Sequence, residues 1–482
     1  MKLKDPRLLK TQALIDGQWL DADDGSSIPV VNPADGEVIT RVARCQGTET
    51  RRAIEAASGA FQDWRSQTAK ARSRALRRWF DLIIAHHEDL AVIMTTEQGK
   101  PLAESRGEVA YGAAFLEWFA EEAPRVYGDT IPGPAPDKRV VTLKQPVGVV
   151  ACITPWNFPI AMLTRKVGPA LAAGCTVVCK PASATPLSAL AIAELAVRAD
   201  IPAGVVNVLA AGNDLGQWMT EHPDIDKISF TGSVATGKKV LATASDTLKR
   251  VTLELGGNDP AIILDDADPR AIARSLFFAC FVNSGQVCMA VKRIYAHESV
   301  YDELCSALVD EANAAKVGNG LEPDTKLGPL QNRMQFDKVS EILEETKNNG
   351  ATILTGGEIP QKPGYFIPPT LVTDVDDDSR IVSEEQFGPV VPILKFTDPE
   401  DALRRANDTR YGLSGSVWTS DPARGKALAE RMEVGTAWVN QHRAVSAYVP
   451  FGGAKQSGLG RQYSIIGLKG YMEPQVVSVS KV

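Results

Sequence analysis

Apolar and polar positions repeat with two rhythms along this chain, and the change from helical to strand-like spacing falls near residue 140. In "TETRRAIEAASGAFQDWRSQ" (48–67) and "AKARSRALRRWFDLIIAHHEDLAVIMTTEQG" (69–99) apolar residues return every three or four positions. That spacing predicts helices over residues 48 to 125, with Gly99 suited to a helix end. A break rich in Pro and Gly follows in "YGDTIPGPAPDKR" (127–139), and "VVTLKQPVGVVACITP" (140–155) alternates as strands do. Strand and helix then take turns. "TVVCKPA" (176–182), "VVNVLAA" (205–211) and "DKISFTGS" (226–233) read as strands, with "PLSALAIAELAVRA" (186–199) and "GNDLGQWMTEH" (212–222) as helices between them.

The same beat resumes after residue 254. "PAIILDDAD" (260–268) and "RIYAHESV" (293–300) look like strands, while "PRAIARSLFFACFVNSG" (269–285) and "VYDELCSALVDEANAAKVG" (300–318) look like helices. Alternation of this kind predicts parallel sheets with helices on their faces, and so an α/β fold. The tail "YMEPQVVSVSKV" (471–482) alternates like a terminal strand. At 482 residues the chain exceeds one ordinary core, so two or three domains are expected.

Composition narrows the function classes. With 44% hydrophobic and 23% charged residues the chain is globular rather than disordered. Its net charge of −7, with signs mixed throughout, lacks the basic footprint of a nucleic-acid binder. The most apolar stretch, "VGVVACITPWNFPIAMLT" (147–164), is interrupted by Pro155, Asn157 and Pro159, so no membrane span is expected. "MKLKDPRLLKTQALIDGQWLDADDG" has no apolar signal core, and seven scattered cysteines, an odd number, argue against a disulfide framework. Both point to a reducing cytoplasm. Cys175 and Cys179 have no Cys or His group nearby to complete a zinc site, so they read as core and no metal is expected.

Two stretches carry candidate chemistry. "FVNSGQVCMA" (281–290) sets Cys288 among small residues, as a buried spacer or as a nucleophile that needs help to ionise. "SFTGSVATGKKV" (229–240) puts Gly232, Ser233 and Gly237 at a strand-to-helix turn. Backbone N–H groups there could cradle a phosphate, or the turn could be an ordinary tight one, since the full G-x-G-x-x-G fingerprint is absent.

Six motifs in order then alter the balance: "TPWNFP" with Asn157, "CKPAS" with Lys180, "LELGGN" with Glu254, "GQVC" with Cys288, "EEQFGPV" with Glu385 and Phe387, and "PFGGAKQSGLGR". Together they resemble the aldehyde dehydrogenase superfamily over essentially the whole chain. Through residues 95–133 and "TRKVGPALAAGC" (164–175) the chain resembles the succinate-semialdehyde dehydrogenase branch in particular. The resemblance implies a Rossmann-like cofactor domain (1–125 and 145–253), a second α/β catalytic domain (254–450), and a small β oligomerisation flap (126–144 and 451–482). It also implies a homotetramer or homodimer.

By the same resemblance Cys288 is the nucleophile toward an aldehyde. Asn157 and the Cys288 N–H would stabilise the oxyanion, and Glu254 would activate the water that releases the acid. Lys180 would hold the adenosine ribose, Glu385 the nicotinamide ribose, and Phe387 would pack near the nicotinamide. Pro155, Trp156, Ser183, Gly232, Ser233, Gly237, Leu255 and Gly256 complete the expected cofactor site. Ser183 stands where NAD-restricted members often carry a glutamate, so NADP is expected to be accepted as well as NAD.

Semialdehyde enzymes of this branch hold the distal carboxylate with two arginines. One is present as Arg165, but the position six residues before the nucleophile is Val282. A frequent second cysteine two residues after the first is here Ala290. Arg443 in the loop "NQHRAVSAYVPFGG" (440–453) could substitute for the missing arginine, whereas His442 and Tyr448 in that loop would suit a neutral or aromatic aldehyde. An acyl-CoA-forming relative would usually lack the base that Glu254 supplies, and a non-catalytic one would tolerate loss of Cys288 or Glu254.

Overall fold

The computed structural model describes residues 1–480; the last two residues of the expected terminal strand, Lys481 and Val482, lie outside the described residues. Two large sheets organise the chain. The first has eight strands in the order Gly458–Leu459, Arg250–Glu254, Lys227–Thr231, Val149–Ile153, Thr176–Lys180, Val206–Val208, Ala13–Ile15 and Gln18–Leu20. Its five central strands are parallel, and antiparallel pairs close both edges. Along Val149–Ile153 the side chains alternate between two apolar clusters: Val150 and Cys152 face one, Val149, Ala151 and Ile153 the other. All five are buried, as expected of a parallel strand with both faces covered.

The second sheet orders Thr352–Thr355, Thr370–Thr373, Val390–Phe396, Val291–His297, Asp259–Ile263, Ser414–Trp418 and Thr436–Val439. It is parallel except at its first pair. A three-stranded antiparallel sheet joins Met472–Ser480, Lys138–Pro146 and Asp129–Pro132, and a hairpin pairs Ser27–Val31 with Val38–Ala43. The α/β architecture anticipated from the alternation is therefore present, with the small β-sheet beside it.

Local boundaries differ where tertiary contacts decide them. The long run 69–99 is two helices, Ala69–Ala85 and His87–Gln98, divided at His86 (φ −106°, ψ 19°). The first buries one stripe, Arg72, Ala75, Leu76, Trp79 and Ile83; the second is buried from Asp89 to Met94 except at Val92, and then through to Gln98. Its end is Gly99, whose φ of +97° is the left-handed cap conformation that glycine adopts without a Cβ clash. The strand expected over 293–300 stops at His297, which caps the helix Glu298–Ala314 by accepting the Ser299 N–H. Helix Ala161–Ala173 is buried throughout, its polar Thr164, Arg165 and Lys166 included, and Pro169 lies within it. No helix among the described residues is long and apolar enough to cross a membrane.

Candidate active site

In an open parallel sheet, ligand sites form beyond the carboxyl ends of the strands. Four adjacent strands of the first sheet end on residues singled out in the sequence. Glu254 ends its strand opposite Thr231, which leads into Gly232 and Ser233; Ile153 leads into Pro155, Trp156 and Asn157; and Lys180 pairs with Ile153. The connection Leu255–Asn258 then passes directly into the second sheet, so the junction of the two sheets carries the site.

Cys288 lies in the loop between helix Pro269–Phe281 and strand Val291–His297. Asn283, Ser284 and Gly285 are all left-handed (φ 51°, 54° and 74°), which turns the chain sharply before the thiol. A Cβ on Gly285 would come 2.3 Å from the Gly388 oxygen, so this loop packs tightly on the segment holding Glu385 and Phe387. Cys288 is half-buried, whereas the other six cysteines are buried. Burial pushes its thiol up to about 11; Arg165 and Lys292 pull it down, and Glu385 and Glu254 push it further up.

Asn157 is buried, and its Nδ2 donates to the Gln286 carbonyl at 2.9 Å, leaving one amide N–H. Its backbone oxygen accepts from Lys100 Nζ at 2.7 Å and from Asn283 Nδ2 at 3.1 Å. Lys100 is paired with Glu108 at 2.6 Å, and Glu108 also accepts the N–H groups of Ile160 and Ala161 at the start of the following helix. Asn157 is thus fixed from both sides. Burial raises the Glu254 carboxyl to about 7, against the pull of Arg165, Lys166 and Arg461. A Cβ on Gly452 would stand 3.1 Å from Glu254 Oε1, so the glycine leaves that carboxylate room. Asn157 Oδ1, Glu254 Oε1 and Arg165 Nε have no hydrogen-bond partner among the described residues. Buried polar atoms are rarely left so, and three together point to a polar ligand.

The expected cofactor residues lie at strand ends and in the loops that follow them. Burial lowers the Lys180 ammonium to about 8, and among the described residues it makes a long 3.5 Å contact to the Pro181 carbonyl. Ser183 Oγ donates to the Ala211 carbonyl. Ser233 caps helix Val234–Ala244 by accepting the Thr236 N–H. A Cβ on Gly237 would meet Leu255 Cδ2 at 2.5 Å, and one on Gly256 would meet Glu385 Oε2 at 2.1 Å. Glu385 Oε1 accepts the Gly257 N–H at 3.0 Å, and Phe387 (φ +55°) meets Trp156 edge-on at 5.4 Å. Spare ammonium donors, an exposed helix N-terminus and glycines where backbone is approached closely fit a dinucleotide.

Arg165 lies deep in the site, 2% exposed, and donates to Tyr463 Oη at 2.9 Å and Thr231 Oγ1 at 3.2 Å. Arg443 (φ +62°) is half-buried in the 440–453 loop and donates to the Phe278 carbonyl at 3.3 Å, on the helix that ends at Val282. His442 turns away: its ring bonds Ser416 Oγ and the Met289 carbonyl, both at 2.9 Å, and burial pushes it down to about 3, so it is neutral. Tyr448 is exposed and packs on Trp118 at 5.8 Å. Lys100, Glu108, Lys166, Gln286, Lys292 and Tyr463 also build the site, and sequence reasoning missed them. Lysines and glutamates read as solvated, and nothing local signals their burial.

Comparison with known proteins agrees with this geometry. The model of the aldehyde dehydrogenase family matches residues 19–477. The chain is 48% identical to a glutarate-semialdehyde dehydrogenase of Pseudomonas putida over 481 residues, covering 100% of both. It is 46% identical to a succinate-semialdehyde dehydrogenase [NADP(+)] of Escherichia coli, covering 98% of each. The crystal structure of succinate-semialdehyde dehydrogenase from Burkholderia pseudomallei superposes with a TM-score of 0.97 at 46% identity, covering 100% of both chains. The chain belongs to the aldehyde dehydrogenase family.

Proposed function

We propose that this NAD(P)-dependent aldehyde dehydrogenase oxidises a semialdehyde, one whose far end carries a carboxylate, to the corresponding diacid. One observation carries the substrate class. The Arg165 guanidinium is buried and no carboxylate lies within ion-pairing distance of it among the described residues. A buried cation is costly until an anion joins it, and the substrate's distal carboxylate would supply one. Relatives that are glutarate- and succinate-semialdehyde dehydrogenases support the same class. Arg443 is the second cation, in place of the arginine that Val282 lacks.

In this reading the Cys288 sulfur adds to the aldehyde carbon, giving a thiohemiacetal oxyanion. The free Asn157 N–H and the Cys288 N–H stabilise it, each such donor being worth roughly 3 kcal/mol. Lys180, Ser183, the Gly232–Gly237 turn, Gly256, Glu385 and Phe387 hold NADP or NAD, whose nicotinamide accepts the hydride when bound. Collapse of the oxyanion leaves a thioester on Cys288. Glu254, balanced near pH 7, takes a proton from water as that water attacks the thioester, and Cys288 returns as the acid leaves. Val282 and the Trp118–Tyr448 pair favour a second reading, a neutral or aromatic aldehyde.

The units follow the sheets. The first sheet with residues 1–125 and 145–253 binds the cofactor, and the second (254–450) carries Cys288. Gly458–Leu459 joins the first sheet, which narrows the tail's assembly segment to 472 onward. Seven unpaired cysteines support a cytoplasmic setting.

Arg165→Ala tests the substrate class. Its KM for succinate or glutarate semialdehyde should rise about ten- to hundredfold, since a charge-assisted arginine contact contributes roughly 1.5–3 kcal/mol. KM for a neutral aldehyde of similar length should change far less. A wild type that prefers neutral or aromatic aldehydes by a wide margin in kcat/KM would overturn the semialdehyde assignment.

A further inference from the structure

Four residues beyond Cys288, Lys292 is the second residue of the strand that leaves the nucleophile loop, and it is 3% exposed. Instead of reaching a carboxylate, its Nζ turns back into the loop. It donates to the Val287 and Cys288 carbonyls at 2.8 Å each and to the Ala290 carbonyl at 3.3 Å. Those three bonds use every donor an ammonium has. None is left for substrate or cofactor, and no ion pair forms within 4.0 Å among the described residues. The loop carbonyls alone hold a buried cation in place.

We infer that Lys292 is a positioning residue for the nucleophile: it fastens the turn that presents Cys288 and keeps a fixed positive charge within that turn. This rests on the reading of Cys288 as nucleophile. Charged and titratable groups reach this region from every side. Arg165, Glu254 and Glu385 act on Cys288 along with Lys292, while Asp259, Glu385, Cys280, His442 and Lys338 feel the Lys292 charge. Burial, Glu385 and Glu254 oppose formation of the thiolate, and Arg165 and Lys292 favour it. Arg165 is already assigned to the substrate's anion, which would neutralise its help during turnover. Lys292 is then the one cation whose support persists.

The test is the pH profile of iodoacetamide alkylation at Cys288 in the full-length protein without cofactor, followed on the peptide that carries Cys288. Lys292→Met should move the profile up by about one pH unit, so that at fixed pH below the midpoint alkylation slows roughly tenfold. Lys292→Gln removes the charge yet keeps two N–H donors, and it should shift the profile similarly; it carries the test if the Met variant does not fold. Lys292→Arg keeps the charge and should stay near wild type. Both neutral variants should lower kcat more than they raise KM. A neutral variant with wild-type circular dichroism and an unmoved profile would overturn the inference, leaving Lys292 a structural anchor. Cys288→Ala separates this from the parent reading: substantial turnover in that variant would reject Cys288 as nucleophile, whereas the alkylation profiles report on Lys292 either way.

Discussion

At Glu254, burial lifts the carboxyl from 4.5 to about 7, so the folded protein binds this proton more tightly than the unfolded chain does. The group's contribution to stability is therefore fully present below pH 4.5 and is lost as pH rises through 7. Glu254→Gln removes that loss. At pH 8 the variant should be more stable than wild type by about 3 kcal/mol, and the gap should close near pH 4.5. Urea melts at the two pH values read this directly; a gap that does not change with pH would mean the carboxylate stays solvated or paired. Residues such as Glu254, Cys288, Asn157 and Lys180 were legible in the sequence because the short motifs that carry them, each modest alone, together and in order resemble one family. Lys100, Glu108 and Lys292 were not. Glu108 and Lys292 sit in a helix and a strand where a charge reads as outward-facing, Lys100 in the link between two helices, and only their partners, Ile160 N, Cys288 O and Asn157 O, show why they are buried.

The elements that build the cofactor site are strand ends and the loops after them, and these were the best-read parts of the fold. The turn after Thr176–Lys180 brings Ser183 against Ala211, at the loop that precedes helix Asn213–Glu221. Ser183 spends its hydroxyl proton on that carbonyl, so it must rotate before it can donate to a phosphate. Ser183→Glu should place a carboxylate there and weaken NADP at least tenfold more than NAD, read as Kd by cofactor titration. Equal losses would mean that Ser183 does not face the 2′ position. Helix Ala161–Ala173 and the strands Ala13–Ile15 and Gln18–Leu20 escaped sequence reading for related reasons. The helix is buried on every side, its Thr164, Arg165 and Lys166 included, so no solvent-facing stripe marks it, and the two strands are three residues each and gain identity only by pairing at the sheet edge.

Across the whole molecule, the three-stranded sheet is the part that the chain by itself leaves uncovered. Met472–Ser480 pairs with Lys138–Pro146 over nine residues, yet Val476 and Val479 on the tail and Ile131 and Leu143 on its neighbours are exposed. Asp129–Pro132 and Met472–Ser480 form its two edges among the described residues, and an open edge is a liability that natural sheets cover or pair. Light scattering at micromolar concentration should report a homodimer or homotetramer, and a clean monomer would contradict this assembly. The proposed catalysis also draws on both sheets, since Glu254 at a strand end of the first must act on an adduct held by Cys288, in the loop that enters the second. Stopped-flow recording of reduced cofactor with Glu254→Gln and succinate semialdehyde tests it most directly. The expected trace is a burst of about one equivalent per site followed by a stall, with the acyl adduct located on Cys288 by mass spectrometry. Wild-type steady turnover without a burst, or an adduct on any other residue, would contradict it.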